Sequence, residues 1–230
     1  MAEQSDWFRP VAEYMLREGL PETLRLAAIA VTASVVVGVL LGVLMTIKFR
    51  PLQRLIRLYV EVWRGLPILV TVLFIYWLPD YSVGPFDVRL NAYMSAAVAL
   101  SLWGSAQVAE ATRGAVQSIP REQHEAASAL GFGWVGRHGY VILPQALRRL
   151  LPPFVSLLVN IIQNSTLAQV IGGLELLEAA ERQNERITAI PPIGLGEIKA
   201  FQIFGFVMVL FFLLSFPLTR LAARLEKRLV

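Results

Sequence analysis

The sequence predicts an all-α membrane protein of five transmembrane helices, N-terminus outside and C-terminus inside. Two observations carry the span reading: 56% of the 230 residues are hydrophobic against 17% charged, with a mean hydropathy of +0.57, and long uncharged runs alternate with short polar segments. A soluble domain needs about 25% charged residues for its surface, so the surplus apolar surface has to face lipid. The distribution of Lys and Arg carries the orientation. Five helices of roughly 20 to 25 residues with short connectors use most of such a length, which predicts a single domain over residues 1–230.

Several function classes drop out early. The net charge of +4 and pI near 9.7 come from basic residues scattered between apolar runs, not from one patch, so no nucleic-acid partner is expected. There is no cysteine, which removes disulfides, thiolate nucleophiles and most structural zinc sites. The start, MAEQSDWFRP, is acidic and lacks the basic n-region of a cleaved signal peptide. The first apolar run is therefore expected to stay as a membrane anchor.

Leu26 to Ile47 contains no charge, and that length crosses the hydrocarbon core as a helix; span one is set at about 24–48. Span two, about 55–78, starts amphipathic, with Arg57, Glu61 and Arg64 on one face, and becomes wholly apolar from Leu66. The prolines, glycine and charges of residues 79–90 make a loop. Span three, about 90–113, is uncharged until Glu110 and Arg113. Span four, about 145–172, holds the uncharged run Leu150 to Leu174 and carries Pro152 and Pro153 at its start. ELLEAAERQNERI then reads as a short amphipathic helix, with the Pro/Gly loop IPPIGLG after it. Ala200 to Thr219 centres span five, about 199–222, ahead of a basic amphipathic tail. With these spans, one set of connectors holds fourteen of the 21 Lys and Arg residues. The positive-inside rule places that set in the cytoplasm.

The longest interior connector runs from Gln117 to Arg149. Glu122 to Leu130 has good helix formers, small Ala126 and Ala127 beside Glu125, and Gly131 as a C-terminal cap. The helix, about 120–131, is short and small-faced, suited to lying against another protein.

This connector resembles the signature of bacterial ABC importer permeases: EAA, three residues, G, nine residues, then I-x-L-P. Glu125-Ala126-Ala127, Gly131 and Val141-Ile142-Leu143-Pro144 match it at the same spacing, with Val for the usual Ile. Gly19-Leu20 with Thr23-Leu24, Tyr59 with Glu61, Arg64-Gly65 and Pro67, Ala109-Glu110 with Arg113-Gly114, and Leu143-Pro144-Gln145-Ala146 extend the resemblance over nearly the whole chain. They narrow it to the polar amino-acid subfamily, that of histidine, glutamine and glutamate permeases. The resemblance implies the transmembrane domain of a type I ABC importer in the bacterial inner membrane. It further implies that Glu125, Ala126, Ala127 and Gly131 form the coupling helix that fits a cleft in a cytoplasmic ATPase dimer. The remaining implied partners are a second permease subunit and an extracytoplasmic amino-acid-binding protein. No cofactor is expected in this chain, since ATP and Mg would bind the ATPase.

Gln163, Asn164, Ser165 and Thr166 interrupt span four. Polar groups there bond to other helices or face a water-filled path. Relatives typically show K-x-T-S-L at this place, which resembles a substrate-contacting turn. Here the lysine is absent and the hydroxyl order reversed, which favours a heterodimer over a homodimer and an acidic or neutral amino acid over a basic one. Glu61 with Arg57 or Arg64, and Glu110 with Arg113, read as ion pairs at helix ends. Ser101, Trp103 and Gln107 either face the path or pack. His124 and His138, without partners at metal-ligand spacing, read as solvated histidines. No phosphate-binding loop or nucleophile constellation occurs, so no catalysis is expected. The alternatives are an ion-coupled secondary transporter, which would need intramembrane carboxylates and inverted repeats, and a membrane scaffold subunit.

Overall fold

The computed structural model describes residues 7–47, 49–78, 90–189 and 196–229, and among these the regular structure is entirely helical. Helix α1 runs Phe8–Leu44, widening to a π-helical segment at Met15–Gly19. It starts well before the expected 24–48. Val11 and Met15 are buried in a core, so the charged N-terminal stretch is held helical by packing that its polarity hid.

Helices α2 (Arg50–Gly65) and α3 (Ile68–Trp77) replace the single expected second span and are bent by 103° at their junction. The cause is local. Leu66 precedes Pro67, and a residue before proline is pushed out of the helical region; it sits extended at φ −80°, ψ 138°. Helix α4 (Ala92–Gln117) corresponds to span three, α5 (Arg121–Ala129) to the connector helix, and α6 (Trp134–Ile171) to span four. α7 (Leu176–Thr188) is the expected amphipathic helix, and α8 (Gly196–Leu229) holds span five. The loop expected at 79–90 falls almost wholly outside the described residues.

Among the described residues, α1, α6 and Lys199–Lys227 of α8 are long and apolar enough to cross a membrane, and α2 with α3 makes a fourth if a bent pair counts as one span. Helix α4, the counterpart of the remaining expected span, has 26 residues, ample length; its Ser, Gly and Gln content dilutes its apolarity.

Contacts divide the chain into two units. One comprises residues 1–30, 68–100 and 160–217, the other 31–67, 101–159 and 218–230. In the first, Val11, Met15, Leu176, Ala179, Ala180, Ile203 and Val207 form a core. Gly19 allows α7 to approach α1: a Cβ there would lie 2.7 Å from the Ala179 Cβ and 2.9 Å from the Leu176 Cα. One turn on, the buried Thr23 hydroxyl accepts from the Leu176 N–H at 2.9 Å, satisfying a donor that the first turn of α7 leaves free. In the second unit, Gly38 and Gly42, a small-xxx-small pair, seat α1 against α4, where added Cβ atoms would meet Val108 and Thr112 at 2.5 Å. Met45, Ile56, Val60 and Ala109 bury one face of α2.

Gly19→Val is expected to cost about 1–3 kcal/mol by overpacking, and Thr23→Val a similar amount by leaving a buried N–H unpaired. Thermal unfolding in detergent checks both, with Gly114→Ala, where a Cβ meets open space, as the control.

Candidate functional site

The matched connector motif owes its shape to its last turn. Helix α5 closes in a Schellman arrangement: the Phe132 N–H donates to the Ala127 carbonyl at 3.1 Å and the Gly131 N–H to the Ser128 carbonyl at 3.0 Å. This geometry puts Gly131 at φ +83°, where an L side chain is strained whatever the space. Nothing lies within 4 Å of where its Cβ would be, so backbone conformation, not crowding, requires the glycine. Ala127 is buried, while Glu125 and Ala126 are exposed. The helix therefore offers an acid and a small side chain outward from a seated base. Leu130 and Val135, each 77% exposed, and Tyr140, 79%, lie close by in sequence.

Behind this helix, His138 departs from the solvated reading. It is buried, stacks on Trp134 with ring centroids 4.2 Å apart, and shares a hydrogen bond between Nδ1 and the Trp134 carbonyl at 2.9 Å. His124 meets it edge-on at 6.1 Å. Thirteen positions separate the two histidines, so the meeting depends on how α5 folds back beside the start of α6. Burial holds the His124 imidazole below its usual value, with His138 and Arg137 adding to the effect. No cluster of metal-ligating side chains occurs among the described residues.

The polar cluster lies where α6 tightens from α-helix to a 3-10 segment at Ser165–Ile171. Three of its side chains bond backward: Asn164 Nδ2 to the Asn160 carbonyl at 2.7 Å, Ser165 Oγ to Ile162 at 2.7 Å and Thr166 Oγ1 to Gln163 at 2.8 Å. Ser165 is buried, whereas Gln163 is exposed. The cluster thus serves the backbone of a broken helix first, and Gln163 presents an uncommitted face. The segment ends as α5 does, at Gly172 with φ +72° and the Gly173 N–H on the Ala168 carbonyl.

Of the charged pairs, Arg113 takes Glu110 with Nε at 3.0 Å from Oε2. Arg64 donates to Gln107 at 3.2 Å.

One residue escaped the sequence reading. Glu175 is fully buried and caps α7, accepting from the Leu177 and Glu178 N–H groups at 2.9 and 2.8 Å. Burial pushes its carboxyl from an ordinary 4.5 up to about 7, partly opposed by those bonds. An acid directly ahead of an amphipathic helix is an N-cap signal; its burial had no sequence signal.

The model of the family described as binding-protein-dependent transport system inner membrane component matches residues 16–230. The chain belongs to that family. It is 33% identical over 216 residues to the probable glutamine ABC transporter permease protein GlnM of Bacillus subtilis, covering 94% of this chain and 93% of that one. With the glutamine transport system permease protein GlnP of Escherichia coli K12 it shares 34% over 215 residues, with the same coverage. A chain of the crystal structure of an amino acid ABC transporter with histidines has the same fold, at a TM-score of 0.79 and 27% identity over 96% of both chains. The fold is that of a type I ABC importer permease, an inner membrane component.

Because Glu175 binds its proton more tightly folded than unfolded, its contribution to the stability of α7 is present below pH 4.5 and lost as pH rises through about 7. Hydrogen exchange of α7 amides, corrected for intrinsic rates, should show protection falling over that range. The change is up to about 3 kcal/mol, and Glu175→Gln should flatten it.

Proposed function

We propose that this chain forms half of the translocation pathway of an ABC importer for polar amino acids. In this reading five spans cross the membrane with the N-terminus outside, and α5 meets a cytoplasmic ATPase. The observation that carries the coupling role is the helix end at Gly131, which fixes the exposure of Glu125 and Ala126 on a rigid, short helix. As two ATPases close and separate, a helix held at both ends transmits the movement into α6.

Among polar amino acids, an acidic or neutral cargo such as glutamate or glutamine is favoured over a basic one. The cluster Gln163 to Thr166 has no charge with which to hold a cationic side chain, and the relatives GlnM and GlnP are named for glutamine. Within the cluster, Gln163 and the Asn164 side-chain oxygen are the groups offered to substrate. Ser165 and Thr166 support the turn. A second permease subunit completes the pathway, with a heterodimer favoured, and a soluble binding protein delivers the amino acid. ATP and Mg reside on the ATPase.

Gly131→Ala, forced into a left-handed conformation at about 1–2 kcal/mol, is expected to lower substrate-stimulated ATPase activity of the assembled complex at normal membrane levels. A cysteine placed at Ala126 in this cysteine-free chain should crosslink to the ATPase. Full coupling after deletion of residues 122–131 would refute the role. For the pathway, Gln163→Ala should raise the apparent KM of transport several-fold, as expected for loss of about 1 kcal/mol of hydrogen bonding, while Ser165→Ala lowers stability and leaves KM unchanged. An unaltered KM in Gln163→Ala and Asn164→Ala at normal membrane levels would sink the pocket assignment.

A further inference from the structure

Helix α2 carries three faces. Ile56 and Val60 are buried against Met45 and Ala109. Arg50, Arg54, Arg57, Glu61 and Arg64 follow at steps of four and three, one row along the helix with four cations and one acid. Leu55, Leu58 and Val62 form a neighbouring row and are 66%, 59% and 41% exposed. An exposed apolar row beside a basic row is the pattern by which a helix engages both the acyl chains and the headgroups of anionic lipid.

The side chains of the basic row leave an open notch between them. Arg50, Gln53, Arg54 and Arg57 line a cavity of about 200 Å³. A second cavity of about 630 Å³ shares Gln53 and adds Arg137, His124 and His138, and among the described residues no acidic one lines either. We propose that α2 docks an anionic phospholipid, with the phosphate held among Arg50, Arg54 and Arg57 and an acyl chain lying on Leu55 and Leu58. Guanidinium groups match phosphate oxygens by charge and by bidentate geometry. A second copy of this chain is the poorer occupant, because a two-fold contact through the row would set arginines against arginines. The proposal does not depend on the cargo or on the ATPase contact.

Native mass spectrometry of the purified complex tests it, titrating phosphatidylglycerol against phosphatidylcholine. The wild-type protein should retain the anionic lipid at least about tenfold better, as expected when several charges each add to attraction at an anionic surface. Arg50→Gln/Arg54→Gln/Arg57→Gln should lose that preference, and the same triple change to lysine should keep most of it. Arg182→Gln/Arg186→Gln on α7 should leave it unchanged. If the triple glutamine variant does not assemble, Arg54→Gln alone should reduce the preference several-fold. Equal retention of both lipids, or a preference unmoved by the glutamine changes, would overturn the proposal. So would displacement of the lipid by inorganic phosphate at equal concentration, which would make the cavity a free-anion site. Leu58→Cys supplies the last arm: an efficient crosslink between two permease subunits through residue 58 in native membranes would assign the face to a second copy instead.

Discussion

Inside a bilayer a peptide group finds no water, so each interruption of a helix has to satisfy its own freed carbonyls and N–H groups. The architecture of this chain is governed by how it meets that demand. After Ile171, Gly172 in the left-handed region lets the Gly173 N–H fold back onto the Ala168 carbonyl, and the end of α5 closes in the same way at Gly131 outside the spans. Between Asn164 and Thr166, where α-helical bonding gives way to a tighter 3-10 segment, amide and hydroxyl side chains bond to the carbonyls three and four residues back. At Thr23 the same demand is met across space, by a hydroxyl on α1 that takes the first free N–H of α7. The proposed substrate residues sit at one of these breaks, because a break is where a membrane helix can present polar groups without leaving others unpaired.

Close backbone approach is the second ingredient. Lipid offers no hydrophobic drive for helices to associate, so small residues carry the packing. Gly19 brings α7 onto α1, and Gly38 with Gly42 seats α4 against the same helix further along. The polar cap on α7 and the small residue beside it therefore act together: without Gly19, Leu176 would stand too far from Thr23 to share its hydrogen bond. Burial of Glu175 in the same contact makes the start of α7 sensitive to pH.

The motif resemblance drew on pieces whose physical reasons differ. Gly131 is needed for its backbone angle. Gly19 and Thr23 are needed for one helix contact. Pro67, after Gly65-Leu66, divides the expected second span into the amphipathic α2 and the apolar α3, bent by 103°. That break was present in the sequence as Gly-Leu-Pro and was outweighed there by the apolar run that follows it. The solvated reading of His138 rests on its lack of partners at metal-ligand spacing; Trp134, four residues earlier, and His124, from another helix, cover it once the connector has folded.

Apolar runs, the charge asymmetry and the spaced EAA signature were enough, by themselves, to determine the helical class, the membrane setting and the family, because each depends on residue type and spacing along one chain. Where α1 begins, that Glu175 is buried and that His138 meets His124 were decided only by tertiary structure. Each of those depends on which surfaces meet across distant segments, and on which backbone groups are left without a partner once they have met.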